Sequence, residues 1–154
     1  ALLVAARRCA SACLVAVAYA DRQHCDLPLM EMVNVASSAG AMGMLIDTWD
    51  KHGAGLRYLV DGETLRAWTS AAHEAGLLVA AAGKLTIDDL SWVTACGADI
   101  AGVRGAACEN GRTGQVTTEC VRLLRAAAAF ERSSSMRSAV TMDDVTPAGS
   151  VRAN

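Results

Sequence analysis

The chain has 154 residues, a formal net charge of −2 and an aromatic content of 4%. This length leaves room for one domain with a core of moderate size. The lack of a basic excess and of stacking aromatic residues argues against a nucleic-acid-binding protein. No apolar run reaches the roughly 18 residues that a membrane-spanning helix needs.

The cysteines show no pattern of a metal site or of a disulfide framework. There are six, scattered without a C-x-x-C pair. Cys9 and Cys13 would share one face of a helix, but no His or Cys partner follows at the spacing of a zinc site. We therefore expect reduced thiols, most of them buried, and neither a metal nor a cofactor.

A short apolar run near the start imitates a secretory signal. Arg7 and Arg8 precede it, and Ala18-Tyr19-Ala20 resembles a cleavage site. However, apolar residues also precede the two arginines, and a second strand–helix pattern follows at once. We therefore expect a cytoplasmic protein without a membrane partner.

Four continuous apolar runs predict four strands, over residues 14–19, 42–46, 77–82 and 99–103. Such runs are typical of parallel strands that are covered on both faces. Predicted helices occupy residues 28–38, 61–75, 87–96 and 117–130, and residues 48–60 are predicted to form a loop. Asp61 is the expected N-cap of the second of these helices, and Thr86 with Asp89 resembles a capping box for the third.

Alternation of strands and helices predicts a parallel α/β sheet with right-handed crossovers. Neither G-x-G-x-x-G nor G-x-x-x-x-G-K-[ST] follows a strand, which counts against dinucleotide-binding and P-loop folds. A (β/α)8 barrel usually needs about 250 residues. Residues 1–130 therefore predict half of a TIM-type barrel, built of about four βα units. Residues 131–154, rich in small and polar residues, predict a disordered tail.

Two lysines, the only ones in the chain, each follow a predicted strand. Asp47 ends the second apolar run, Lys51 follows four residues later, and Lys84 comes just after the third run. A lysine in a dry barrel mouth can attack an aldehyde as a free amine, and a nearby carboxylate can transfer protons. The alternative is a surface ion pair worth under about 1 kcal/mol.

The last two strands end in glycine-bearing segments, as do the phosphate-binding loops after strands seven and eight of many barrels. Backbone N–H groups at such glycines can approach an anion closely. Arg104 is expected to face the phosphate or to pair with an acid, and the alternative is that the glycines only serve tight turns. The predicted substrate-binding and phosphate-binding residues are Asp21, Gly83, Lys84, Arg104, Gly105 and Ala106.

Several segments occur together in an order that resembles the (5-formylfuran-3-yl)methyl phosphate synthase family, also called 4-(hydroxymethyl)-2-furancarboxaldehyde-phosphate synthase. The resemblance covers about residues 14–128. The segments that carry it are residues 18–21, residues 44–48 with Lys51 and Gly53, residues 76–80 with Ala82 and Gly83, and residues 100–106 with Cys108.

This resemblance implies a phosphate-binding (β/α)8 barrel, of which the chain corresponds to the C-terminal half. It implies condensation of two glyceraldehyde 3-phosphate molecules, with loss of water and one phosphate, for methanofuran-type cofactors. The aspartate and lysine of the D-T-x-x-K motif fall on Asp47 and Lys51, which would act in imine or proton-transfer steps. Lys84 stands where a small polar residue is expected, so its role is predicted from position alone.

Half of a barrel would leave two sheet edges unpaired and one side of its core open. We therefore expect the chain to associate with a second copy or with a segment that carries the remaining strands. Two alternatives remain for the function. One is another phosphate-binding barrel lyase or aldolase that acts on a different sugar phosphate, and the other is a non-catalytic half-barrel that only oligomerises.

Overall fold

A computed structural model describes residues 13–22 and 28–129 of the chain. These residues form a four-stranded parallel sheet with the strand order β1-β2-β3-β4. The strands are β1 (Val15–Tyr19), β2 (Gly43–Asp47), β3 (Leu78–Ala81) and β4 (Ile100–Ala101). All four predicted strands are confirmed, although β4 is shorter than predicted. The predicted tail over residues 131–154 lies outside the described residues.

Each strand after β1 pairs with the strand that precedes it in the chain. Ala18 is in register with Ile46, and Ile46 with Ala81. The strand order does not reverse within these four strands, whereas a doubly wound sheet reverses at its switch point. Because right-handed crossovers in one direction place every connecting helix on the same side, one face of this sheet receives the helices.

The helices are α1 (Leu29–Ser38), α2 (Leu56–Leu59), α3 (Gly62–Glu74), α4 (Leu90–Ala95) and α5 (118–129), with 3-10 turns at Ile87–Asp89 and Gly105–Ala107. The prediction of a loop over residues 48–60 is wrong at its end, where α2 forms. Leu56 is fully buried there, and its N–H donates to the carbonyl of Gly83 at 2.9 Å. This long-range contact stabilises a helix that is too short to be recognised by periodicity.

Two predicted helix starts are confirmed by their hydrogen bonds. The carboxylate of Asp61 accepts the N–H of Thr64 at 2.7 Å, which satisfies one free donor of α3. Thr86 and Asp89 form the capping box, with 2.8 Å between the Thr86 hydroxyl and the Asp89 carboxylate. The predicted single helix over residues 87–96 is instead a 3-10 turn that continues into α4.

The hydrophobic core lies between one face of the sheet and the helices. Met44, Ile46 and Val79 are at most 1% exposed, and they belong to the same cluster as Leu65 of α3 and Val93 of α4. Burial of such side chains contributes about 1.5–3 kcal/mol each. The helices therefore hold the strands from this side, and the strand ends carry the loops described below.

The opposite face of the sheet is largely open. Val15, Val17, Leu78 and Ile100 are 50%, 39%, 47% and 55% exposed. The expectation that the strands are covered on both faces is therefore wrong for the described part of the chain. The runs are continuously apolar, but the described helices cover only one of the two rows of side chains.

Four cysteines lie in the described part of the chain. Cys13, Cys96, Cys108 and Cys120 are free thiols, and burial raises the pKa of the Cys96 thiol. Within residues 13–22 and 28–129, no helix has the length and apolarity to cross a bilayer.

Candidate active site

A cavity of about 690 Å³ opens at the carboxyl ends of β2, β3 and β4. Ligands of parallel α/β sheets bind at this edge. The polar lining residues are Asp47, Lys51, Lys84, Thr86, Arg104, Arg112 and Cys120, and the other lining residues include Gly83, Gly105, Ala106, Leu123 and Leu124. Every predicted site residue except Asp21 therefore lies on this cavity.

Asp47 and Lys51 form an ion pair at the cavity wall. Nζ of Lys51 lies 3.1 Å from Oδ2 of Asp47, and it also donates to the carbonyl oxygen of Thr48. The other carboxylate oxygen of Asp47 accepts the N–H of Thr48 at 2.7 Å. The two side chains are 33% and 22% exposed, so the pair contributes only about 0–1 kcal/mol to stability. The pair places an acid and a base beside the cavity.

Asp21, at the end of β1, is not a lining residue of this cavity. Its two carboxylate oxygens accept the N–H groups of Trp49 and Asp50, each at 2.7 Å. Burial opposes ionisation, but these two hydrogen bonds outweigh it and lower the pKa of Asp21 below its usual value. The carboxylate thus holds the loop that carries Lys51.

The Gly83–Lys84 segment packs against the same loop. A Cβ on Gly83 would lie 2.8 Å from Cγ2 of Thr48, and its φ of +107° also favours glycine. Lys84 has a φ of +57°, and its ammonium donates to the carbonyl of Gly53. Gly83 is therefore required by backbone packing, whether or not a phosphate binds there.

The segment after β4 completes the cavity. Arg104, Gly105 and Ala106 line it beside Arg112, and the backbone of Arg112 lies about 3.6 Å from the position that a Cβ on Gly105 would take. Arg112 was not among the site residues predicted from the sequence. The sequence feature that could have identified it is an arginine in the glycine-bearing loop that follows the fourth predicted strand and Arg104.

The charge of the cavity is predominantly positive. Among the described residues that line it, the cations are Lys51, Lys84, Arg104 and Arg112, and Asp47 is the only acid. A concave surface of one sign attracts ligands of the other sign, so the cavity suits a phosphorylated compound. No group of three His, Cys, Asp or Glu side chains that could hold a metal occurs within the part of the chain described here.

Residues 2–125 match the model of the 4-HFC-P synthase family. The chain belongs to this family. Two relatives named (5-formylfuran-3-yl)methyl phosphate synthase are those of Methanosarcina barkeri, 37% identical over 113 residues, and Methanopyrus kandleri, 40% identical over 119 residues. The matches cover 72% and 75% of this chain. A Streptomyces griseus subsp. griseus relative is 41% identical over 121 residues, or 76% of this chain.

The chain spans about half the length of the curated relatives that it matches. The match covers 48% of the M. barkeri relative, 50% of the M. kandleri relative and 48% of the S. griseus relative. The resemblance deduced from residues 14–128 is confirmed by these matches.

Proposed function

We propose that this chain carries part of the active site of a synthase that condenses two glyceraldehyde 3-phosphate molecules into (5-formylfuran-3-yl)methyl phosphate, with loss of water and one phosphate. One observation carries the proposal. The Asp47–Lys51 pair lies on a cavity where the other charged lining residues, within the described part of the chain, are all cationic. The names of the relatives from M. barkeri and M. kandleri support the product.

Phosphate is proposed to bind between the two glycine-bearing loops. Gly83, Lys84, Gly105 and Ala106 line the cavity together, and Arg104 adds a second cation. The ammonium of Lys84 already donates to the carbonyl of Gly53. Because an ammonium has three N–H donors, it can keep that contact and still donate to a phosphate oxygen.

Lys51 is proposed to act in proton transfer. In the arrangement described, Nζ donates to Asp47 and to the Thr48 carbonyl, as an ammonium does. As the new C–C bond forms, Lys51 gives a proton to the aldehyde oxygen of the acceptor molecule. Asp47 takes the proton removed from the carbon of the donor molecule and passes it to Lys51. The pair thus ends the step in its starting protonation state.

The same pair can serve the eliminations that follow. When water is lost, the leaving hydroxyl takes a proton from Lys51, and the proton released from the neighbouring carbon returns through Asp47. When phosphate is lost, Asp47 passes the proton released from the neighbouring carbon to the departing group, which leaves as hydrogen phosphate. Lys84, Arg104 and Arg112 of the cavity stabilise this anion. On this account the chain is a lyase-type synthase.

The open face of the sheet is proposed to be the inner face of a closed (β/α)8 barrel. Val17, Leu45, Ala80 and Ile100 lie side by side in register on this face, and Asp47 lies two residues beyond Leu45 on the same side. Four more strands would bury these residues and close the site. We propose that a second copy of the chain supplies them, as a homo-oligomer.

The experiment that tests the function combines product analysis with a substrate screen. The chain is incubated with glyceraldehyde 3-phosphate and, separately, with other sugar phosphates, and the products are identified by mass. A furan aldehyde phosphate supports the proposal. A product from a different sugar phosphate would favour another barrel lyase. No product and no thermal stabilisation by any of them would favour a non-catalytic half-barrel.

A further inference from the structure

The loop that carries Lys51 has little secondary structure to hold it. Residues 48–55 lie between β2 and the short helix α2, and Trp49 and Asp50 are exposed. A lysine on such a loop would sample many positions unless the backbone were fixed by other contacts. The contacts that fix it come from the neighbouring strand ends.

The end of β1 supplies the strongest of these contacts. Asp21 bridges two successive N–H groups, those of Trp49 and Asp50, at 2.7 Å each. These groups directly precede Lys51, so the carboxylate sets the direction of the backbone at that residue. Hydrogen bonds to an ionised acceptor are stronger than those between neutral groups.

The turn continues through a second carboxylate. Asp50 accepts the N–H of His52 at 2.8 Å, and the N–H groups of His52 and then Gly53 lower the pKa of Asp50. Carboxylates thus accept the backbone N–H groups just before Lys51 and just after it. The ring of Trp49 also contacts Tyr19 of β1 edge-on, with ring centroids 5.3 Å apart.

We propose that Asp21 is a positioning residue for Lys51. It acts through the backbone: its carboxylate holds the turn in which the ammonium of Lys51 meets Asp47 and the Thr48 carbonyl. The charge of Lys51 is close enough to contribute to the lowered pKa of Asp21. This inference rests on the proposed function for its catalytic consequence, and it differs from the substrate contact that the sequence suggested for Asp21.

The chain also allows a test that needs no activity. Lys51 and Lys84 are its only lysines, so one amine-reactive reagent labels two side chains that peptide mapping can separate. The variants are Asp21→Asn, which keeps the shape of the side chain, and Asp21→Ala. The control is Glu74→Gln, at the end of α3 that lies opposite the cavity. Folding of each variant is checked by circular dichroism.

In both Asp21 variants, the labelling rate of Lys51 should rise above its rate in the native chain, and amide exchange at Trp49 and Asp50 should become about tenfold faster or more. With glyceraldehyde 3-phosphate, kcat should fall by about tenfold to a hundredfold while KM changes little, because a misplaced group still leaves binding intact. Glu74→Gln should match the native chain in all three measurements.

Three results would overturn the proposal. One is an unchanged labelling rate of Lys51 in both folded variants, and another is a raised labelling rate of Lys51 with an unchanged kcat. The third is that neither variant folds, since Asp21 would then determine the fold and not the position of Lys51. If the native chain makes no furan product, the proposed function fails, but labelling and amide exchange still decide the role of Asp21.

Discussion

Asp47 lies in register with Tyr19 across β1 and β2, on the face of the sheet that the described helices leave open. The carboxylate therefore faces the same side as the exposed apolar residues Val17 and Ile100. A polar group and an open apolar surface on one side of a parallel sheet are expected where that side becomes the inside of a barrel. Asp47 therefore belongs both to the proposed catalytic pair and to the face that we propose a second copy of the chain covers.

The open face leads to a prediction about association. The native chain should self-associate, and Ile100→Glu should weaken this, because a charge would be buried in the interface. Tyr58→Glu is the matched control, since Tyr58 is 87% exposed on α2 and lies outside that face. Sedimentation velocity over a range of concentrations measures the effect. A native chain that remains monomeric throughout would contradict the proposed homo-oligomer.

The contact between Gly83 and Thr48 gives a prediction about stability. Gly83→Ala should destabilise the fold by about 2–4 kcal/mol, because the backbone strain at positive φ adds to overpacking against Thr48. Gly76→Ala is the control, with a φ of +76° and nothing within 4 Å of the new Cβ. Gly76→Ala should be destabilised only by the strain at positive φ, by about 1 kcal/mol. Urea unfolding measures the free energy of unfolding of both variants. Equal losses of that free energy would show that contact with Thr48 adds no destabilisation.

Much of the fold could be predicted because its signals are local. The strands appear as apolar runs, and Asp61 and Thr86 lie where helix starts need acceptors. Coverage of the sheet could not be predicted, because it depends on which elements pack on each face. The helix at Leu56 was missed for a similar reason, since its burial depends on contact with Gly83, far along the chain.

The sequence predicted most of the residues that line the site, but not the contacts that they make. Strand ends identified Asp47, Lys51 and Lys84, because parallel strands bring their carboxyl ends to one edge. The role of Asp21 was not predictable, because its partners are backbone N–H groups 28 and 29 residues away. Such groups occur in every residue except proline, so the sequence does not show which of them a carboxylate will contact.

The opposite end of the sheet carries a pH-sensitive contact. Asp99 accepts the N–H of Val79 at 2.7 Å and contacts Nε2 of His73 at 2.9 Å. Burial raises the pKa of Asp99, but these contacts outweigh it and leave the pKa below its usual value. The folded pKa is thus below the unfolded one, which is about 3.9. The contribution of Asp99 to stability is present above that pH and is lost as the pH falls through the lower folded value.

Asp99→Asn should therefore lose stability at pH 7 and show a weaker fall in stability on acidification. The measurement is the free energy of unfolding in urea at several pH values between neutrality and about pH 3, near the unfolded pKa of an aspartate. Asp88→Asn, at an exposed position, is the control and should keep the native pH dependence. An identical pH dependence for Asp99→Asn and the native chain would contradict this assignment.

Lys84 and Arg112 give a prediction about substrate binding. Lys84→Met or Arg112→Met should raise KM for glyceraldehyde 3-phosphate about tenfold, because each removes a charged donor to phosphate. Arg66→Met, on the exposed side of α3, should leave KM unchanged. Steady-state kinetics provide the comparison. A lower kcat at unchanged KM for Lys84→Met would indicate that its contact with Gly53 matters more than contact with phosphate.

The measurement that tests the central claim most directly is the rate of furan phosphate formation by Lys51→Ala and Lys51→Arg. General acid–base catalysis contributes about 10²–10⁴-fold, so both variants should lose kcat by that order. Arginine keeps the charge but does not release its proton, so failure of Lys51→Arg separates proton transfer from simple electrostatics. Full activity in Lys51→Ala would contradict the account, because the Asp47–Lys51 pair would then take no part in the chemistry.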